Sequence, residues 1–165
     1  MPRVQAVWDH PLFQKQMDAL ARAEADRRFC RHGIAHLLDV ARVAWILNLE
    51  RGWELDREMV YAAALLHDIG RAAQYASGVP HDVAGEQLAV EILGTVKPER
   101  RFSSEEQAVI LAAVRGHRDK ERGLPDGSLA AAIADADHAS RACFACDARN
   151  DCYWSDERKN LAIRI

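Results

Sequence analysis

Leu65-Leu66-His67-Asp68-Ile69-Gly70 sets an imidazole beside a carboxylate at the end of an apolar run, just before a glycine. Read backwards from His67, the residues Ala64, Ala63 and Val60 lie at the spacings of one buried helical stripe. Two polar groups at the end of such a stripe are costly to bury without partners. A metal ion would satisfy both at once; the other reading is a hydrogen-bonded histidine beside a capping aspartate. Either way the stretch demands a helix packed on all sides and ending at a polar centre.

The rest of the chain supplies helices to pack around it. The 165 residues suit one domain with a substantial core, and about half of them are hydrophobic, with few β-branched runs. Alternating strand patterns are missing. The expectation is an all-α, single-domain helical bundle of about six to seven helices. Asp9 reads as the cap of a helix with Pro11 in its first turn, running to about Phe29. A second helix spans about Ile34 to Glu50 and stops at Gly52. Asp56 caps the helix that delivers His67 and Asp68, and Gly70 is read as its stop. A loop is expected after Gly70, with His81 in it, then a helix from about Val83 to Val96. Ser103 and Glu106 form a capping box for a helix from Ser104 to Gly116. Arg118 to Arg122 reads as a solvated charged loop, and a last core helix starts near Ser128.

The stripe of the first paragraph recurs. Ile110, Ala113 and Val114 lead to His117, and Ala130, Ile133 and Ala134 lead to Asp137, while His36 begins a stripe with Val40, Val43 and Leu47. The short link from Leu49 to Asp56 favours antiparallel packing of the second and third helices. That places His36, His67, Asp68 and Asp137 at one pole of the bundle, as ligands of a divalent cation. Imidazole and carboxylate together suit Fe, Mn, Ni, Zn or Mg.

With these residues the chain resembles the HD-domain superfamily of metal-dependent phosphohydrolases, whose pattern is H…HD…D. His36 in His-Leu-Leu-Asp-Val-Ala-Arg matches the first position, His67-Asp68 the doublet, and Asp137 in Ala-Asp-Ala-Asp-His the last, over roughly residues 30–142. The segment 1–29 then reads as a packing helix of the same domain, and 143–165 as a cysteine-containing extension. Asp135 is the rival of Asp137 and is expected to support the site rather than bind. Some members of the family hold two ions. The resemblance implies that Asp68 bridges, with His81 and His117 holding the second; His32 is placed to reach the site or to cap. It also implies hydrolysis of a phosphomonoester or phosphodiester, a nucleotide above all, by metal-activated hydroxide. Asp68 and Arg71 are the catalytic candidates, with Arg31 and Arg118 as weaker anion binders. His10 and His138 are read as non-ligands. Two further classes stay open: a di-iron oxygenase of the same superfamily, and a non-catalytic metal or redox sensor.

Cys143-x-x-Cys146 followed by Cys152 makes a three-point clasp, with Cys30 as a possible fourth ligand. Such a set suits structural zinc or an iron–sulfur cluster; the other reading is buried thiols with an incidental CxxC. A net charge of −3 and a pI near 6.2 leave no basic footprint for bulk nucleic acid. No apolar run approaches bilayer length and Met1-Pro2-Arg3 lacks a signal core, so the expected setting is cytoplasmic, without a membrane partner.

Overall fold

A computed structural model of the chain describes residues 1–118 and 123–163. Among them are α1 (Pro2–Trp8), α2 (Pro11–Ala23), α3 (Ile34–Arg51), α4 (Arg57–Leu66), α5 (Arg71–Ser77), α6 (His81–Thr95), α7 (Ser104–Gly116) and α8 (Leu129–Ala139). The described residues contain no strand. Asp119 to Arg122, the charged part of the expected loop, lie outside them.

α4 is the axis. Val60, Ala62, Ala63, Ala64, Leu65 and Leu66 are all buried, so the helix is covered around most of its circumference. α3, α7, α8 and α1 pack against it. Its alanines let those neighbours approach closely, and Leu37, Val40, Ile110, Val114 and Ile133 fill the space between. Asp56 caps α4 by accepting from Met59 N–H, and the Ser103–Glu106 capping box on α7 makes both of its hydrogen bonds. Gly52 ends α3 in the left-handed region at φ 65°. In the turn that follows, the buried Asn48 side chain accepts from Leu55 N–H at 2.9 Å, which brings α4 back antiparallel to α3.

Four local expectations are corrected. The first helix does not begin at Asp9 and run to Phe29: α1 comes before it, α2 ends at Ala23, and its cap is His10, whose ring accepts from Leu12 N–H. The stretch after Gly70 is a helix, α5, not a loop. His81 is not a loop residue but opens α6, fully buried. Gly70 is not what stops α4, which ends at Leu66 with His67 as its cap; it is the N-cap of α5, at φ −81°. It is required by contact: an added Cβ would lie 2.2 Å from the His81 carbonyl oxygen and 2.5 Å from Gly85 N. The α4–α5 corner therefore sits directly against the start of α6, and His81 is carried to the end of α4.

Candidate metal centre

His67 and His117 occupy the C-caps of α4 and α7. Carbonyls in a last helical turn lack intrahelical partners. Nδ1–H of His67 donates to Ala64 O at 2.7 Å and Nδ1–H of His117 to Val114 O at 2.8 Å, each the carbonyl three residues back. A carbonyl only accepts, so both rings carry a proton on Nδ1 and turn Nε2 inward. His81 Nδ1 meets Gln74 Oε1 of α5 at 2.7 Å and is aimed in the same way.

Those nitrogens converge on two carboxylates. His36 Nε2 lies 3.2 Å from Asp137 Oδ1 and 3.6 Å from Asp68 Oδ2; His67 Nε2 lies 3.3 Å from Asp68 Oδ2. The four residues can each place one ligand atom within 4.8 Å of all the others. Asp68, His81 and His117 form a second such group: His81 Nε2 stands 3.3 Å from Asp68 Oδ1 and 3.2 Å from His117 Nε2. Asp68 thus belongs to both groups. His67 Nε2 and Asp68 Oδ2 are buried with no hydrogen-bond partner. Two such atoms at 3.3 Å are a standing cost in a protein interior, and a cation between them removes it.

Electrostatics agrees with that geometry. Burial alone would raise the Asp68 carboxyl, but the facing His67 and His36 rings and Arg71 hold it well below the usual carboxylate range. Burial likewise opposes Asp137, which His36 and Arg141 keep ionised. Burial pushes His81 down to about 3, reinforced by Arg71 and His117, and pushes His117 down to about 4, reinforced by His67. Burial lowers His67 too, but Asp68 overcomes this and raises it, so His81, His117 and the two carboxylates are the groups already in the forms that divalent metals bind.

The surrounding residues sort by what they touch. Arg71 Nε donates to Asp68 Oδ1 at 2.8 Å. His32 packs its ring edge on His36, centroids 5.8 Å apart, and its backbone N–H and Nδ1 are both held by the buried Glu24 carboxylate. Asp135 belongs to neither ligand group and salt-bridges Arg51 at 3.1 Å. Arg31 donates to Arg27 O and Ala25 O, while the exposed Arg118 pairs with Asp82. His10 holds Thr95, and His138 stacks on Trp154.

Arg141 escaped the sequence reading. Its Nη2 donates to Asp137 Oδ1 at 2.6 Å and to His36 Nε2 at 3.1 Å, from a side chain only 7% exposed. An i, i+4 spacing from Asp137 was the available signal. The segment after α8 fixes it: Asn160 Nδ2 donates to Arg141 O at 3.0 Å and to His138 O at 2.7 Å. That segment folds back to wall a cavity beside the cluster, into which Asp137, His32, Arg71, Arg141, Trp154 and Lys159 face. All four cysteines line the same cavity, yet no three of them form a ligand group.

Similarity to known proteins points to one family. The HD domain family profile matches residues 33–142. An uncharacterized protein of Clostridium beijerinckii is 39% identical over 140 residues, covering 85% of this chain and 84% of that one. Ribonuclease Y of Sulfurovum sp. is 28% identical over 80% of the chain, and Ribonuclease Y of Mycoplasma mycoides 32% over 66%. The match spans only 23% and 22% of those two enzymes. In fold, the chain is similar to the crystal structure of a predicted HD superfamily hydrolase from an uncultured Thermotogales bacterium, with a TM-score of 0.60, 24% identity, and coverage of 90% of this chain and 81% of that one. With the family's histidine–aspartate doublet at the end of its central helix, the chain belongs to the HD-domain family.

Proposed function

We propose that this protein is a metal-dependent phosphohydrolase whose substrate is a small phosphorylated molecule, with a nucleotide the best fit. The observation that carries the reading is the pair of partnerless buried atoms, His67 Nε2 and Asp68 Oδ2, at the junction of His36, Asp137, His81 and His117. These residues fit a divalent cation at the first group and a second at the other, with Asp68 shared. A cation bound there supplies hydroxide from water near neutral pH. Arg71 and Arg141 reach the same carboxylates from the cavity side and carry donors for phosphate oxygens.

The similarity to Ribonuclease Y adds phosphodiesters to the substrates worth assaying. The net charge of −3 favours a small substrate over a long nucleic acid. Release of phosphate or of a nucleoside from a panel of nucleotides, other phosphomonoesters and short RNA, with each divalent metal in turn, tests the proposal. Asp68→Ala should abolish turnover and empty the metal site while leaving helical circular dichroism intact. Full activity in that variant would overturn the reading. So would oxygen consumption with an organic substrate on the iron-loaded protein with no phosphoester cleaved, the outcome of a di-iron oxygenase, which the second ligand group also accommodates.

A further inference from the structure

Cysteines from two distant parts of the chain meet beside the metal centre. Cys30 precedes α3, whereas Cys143, Cys146 and Cys152 follow α8, and all four line the cavity described above. None is in a disulfide. Two tight turns bend the later segment around that space. Cys146 N–H donates to Cys143 O at 3.3 Å, closing the 3₁₀ turn Cys143–Ala145, and Cys152 N–H donates to Arg149 O at 3.4 Å, closing Arg149–Asp151. An ion pair from Arg28 to Asp151 at 3.0 Å ties the segment bearing Cys30 to the segment bearing the other three.

The spacing of the thiols selects among ligands. Zinc–sulfur bonds of about 2.3 Å in a tetrahedron bring sulfurs to about 3.8 Å from one another. No three of these thiols come within 4.8 Å of one another. They stand instead around an open cavity of about 110 Å³. An iron–sulfur cube takes one thiolate on each iron, so its four cysteines stand apart around a bulky body. Four thiolates also need positive charge nearby, and Arg27, Arg141, Arg149 and Lys159 line the same space.

We infer that Cys30, Cys143, Cys146 and Cys152 ligate a [4Fe–4S] cluster next to the His–Asp centre. The inference does not rest on the hydrolase reading. Its test is to express the full chain in iron-replete cells, purify it without air, and measure acid-labile sulfide, iron and zinc together with visible absorption. Roughly four sulfides per chain and a broad thiolate-to-iron band are expected. The double variant Cys146→Ser/Cys152→Ser should lose most of both while keeping its helical circular dichroism. Cys30 is exposed, so Cys30→Ser removes a ligand without opening the core, and it should change or bleach the band. Asp68→Ala should keep its sulfide, which separates this result from any failure of phosphoester cleavage. Wild-type protein without labile sulfide, or with one zinc that disappears in the cysteine variants, would overturn the inference. Sulfide undiminished in those variants would do the same.

Discussion

Ala64 O and Val114 O, two carbonyls that their own helices leave unpaired, decide which way His67 and His117 face. That explains why ligating histidines stand at helix ends here: the chain supplies the acceptor that fixes the tautomer, and no second element has to. Gly70 shows a different kind of necessity. Gly70→Ala would press a methyl against the backbone of His81 and Gly85, where no flexible side chain can give way. A loss of about 3 kcal/mol in denaturant unfolding is expected, and because the displaced backbone carries His81, the second metal should weaken more than the first. Calorimetric titration of the variant reads that difference. His36, His67, Asp68 and Asp137 were legible because each ends or begins an apolar stripe. Arg141 was not, because its place depends on Asn160 and the folded-back segment, a tertiary fact with no periodic signature.

Among the elements, those with several turns or an explicit cap were readable and the shortest were not. Ser103 with Glu106, Asp56 and Gly52 announce the ends of α7, α4 and α3 through local chemistry alone. The seven-residue helices α1 and α5 span two turns, too few for a stripe to repeat, and single helices of that length are held by their surroundings. For α1 the holding group is Arg3. Its guanidinium reaches Glu58 at 2.6 Å, Glu106 at 2.7 Å and Asp56 at 3.1 Å, while lying 4.3 Å over the ring of Phe102. One residue thereby joins α1 to the starts of α4 and α7. Partly exposed pairs are individually weak, so Arg3→Met, which keeps the stem on Phe102, should cost about 1 kcal/mol. The deficit should shrink in about 1 M salt, where such pairs are screened. Parallel thermal melts of both proteins at low and high salt measure it; an unchanged deficit would assign the loss to packing instead.

The molecule as a whole keeps uncharged imidazoles buried at its centre, and that makes acid its weakness. Burial holds His81 at about 3 and His117 at about 4, and lowers His32 despite its bond to Glu24, whereas each would titrate near 6.5 in an unfolded chain. Between those values the unfolded state takes up protons that the folded state refuses, so stability falls as pH falls. His67 acts in the opposite sense: burial lowers it, but Asp68 overcomes this and raises it, so its contribution is present below 6.5 and is lost as pH rises through the folded value. Three lowered groups outweigh one raised. Glu24 adds to the slope further down, since burial is overcome by its bonds from His32 and its carboxyl sits at about 2 rather than 4.5. Its share is present above 4.5 and disappears toward 2. The melting temperature of chelator-treated protein should therefore drop steadily from about pH 7 to about pH 5 and more steeply below. A divalent cation adds to the folded state alone, about 2.7 kcal/mol at a hundredfold excess over its dissociation constant. Protons compete for the same Nε2 atoms, so that increment should be largest near neutrality and vanish in acid. Melts across this pH range, with chelator and with saturating metal, test both statements. Two curves that stay parallel down to about pH 5 would mean that the cation binds away from these histidines.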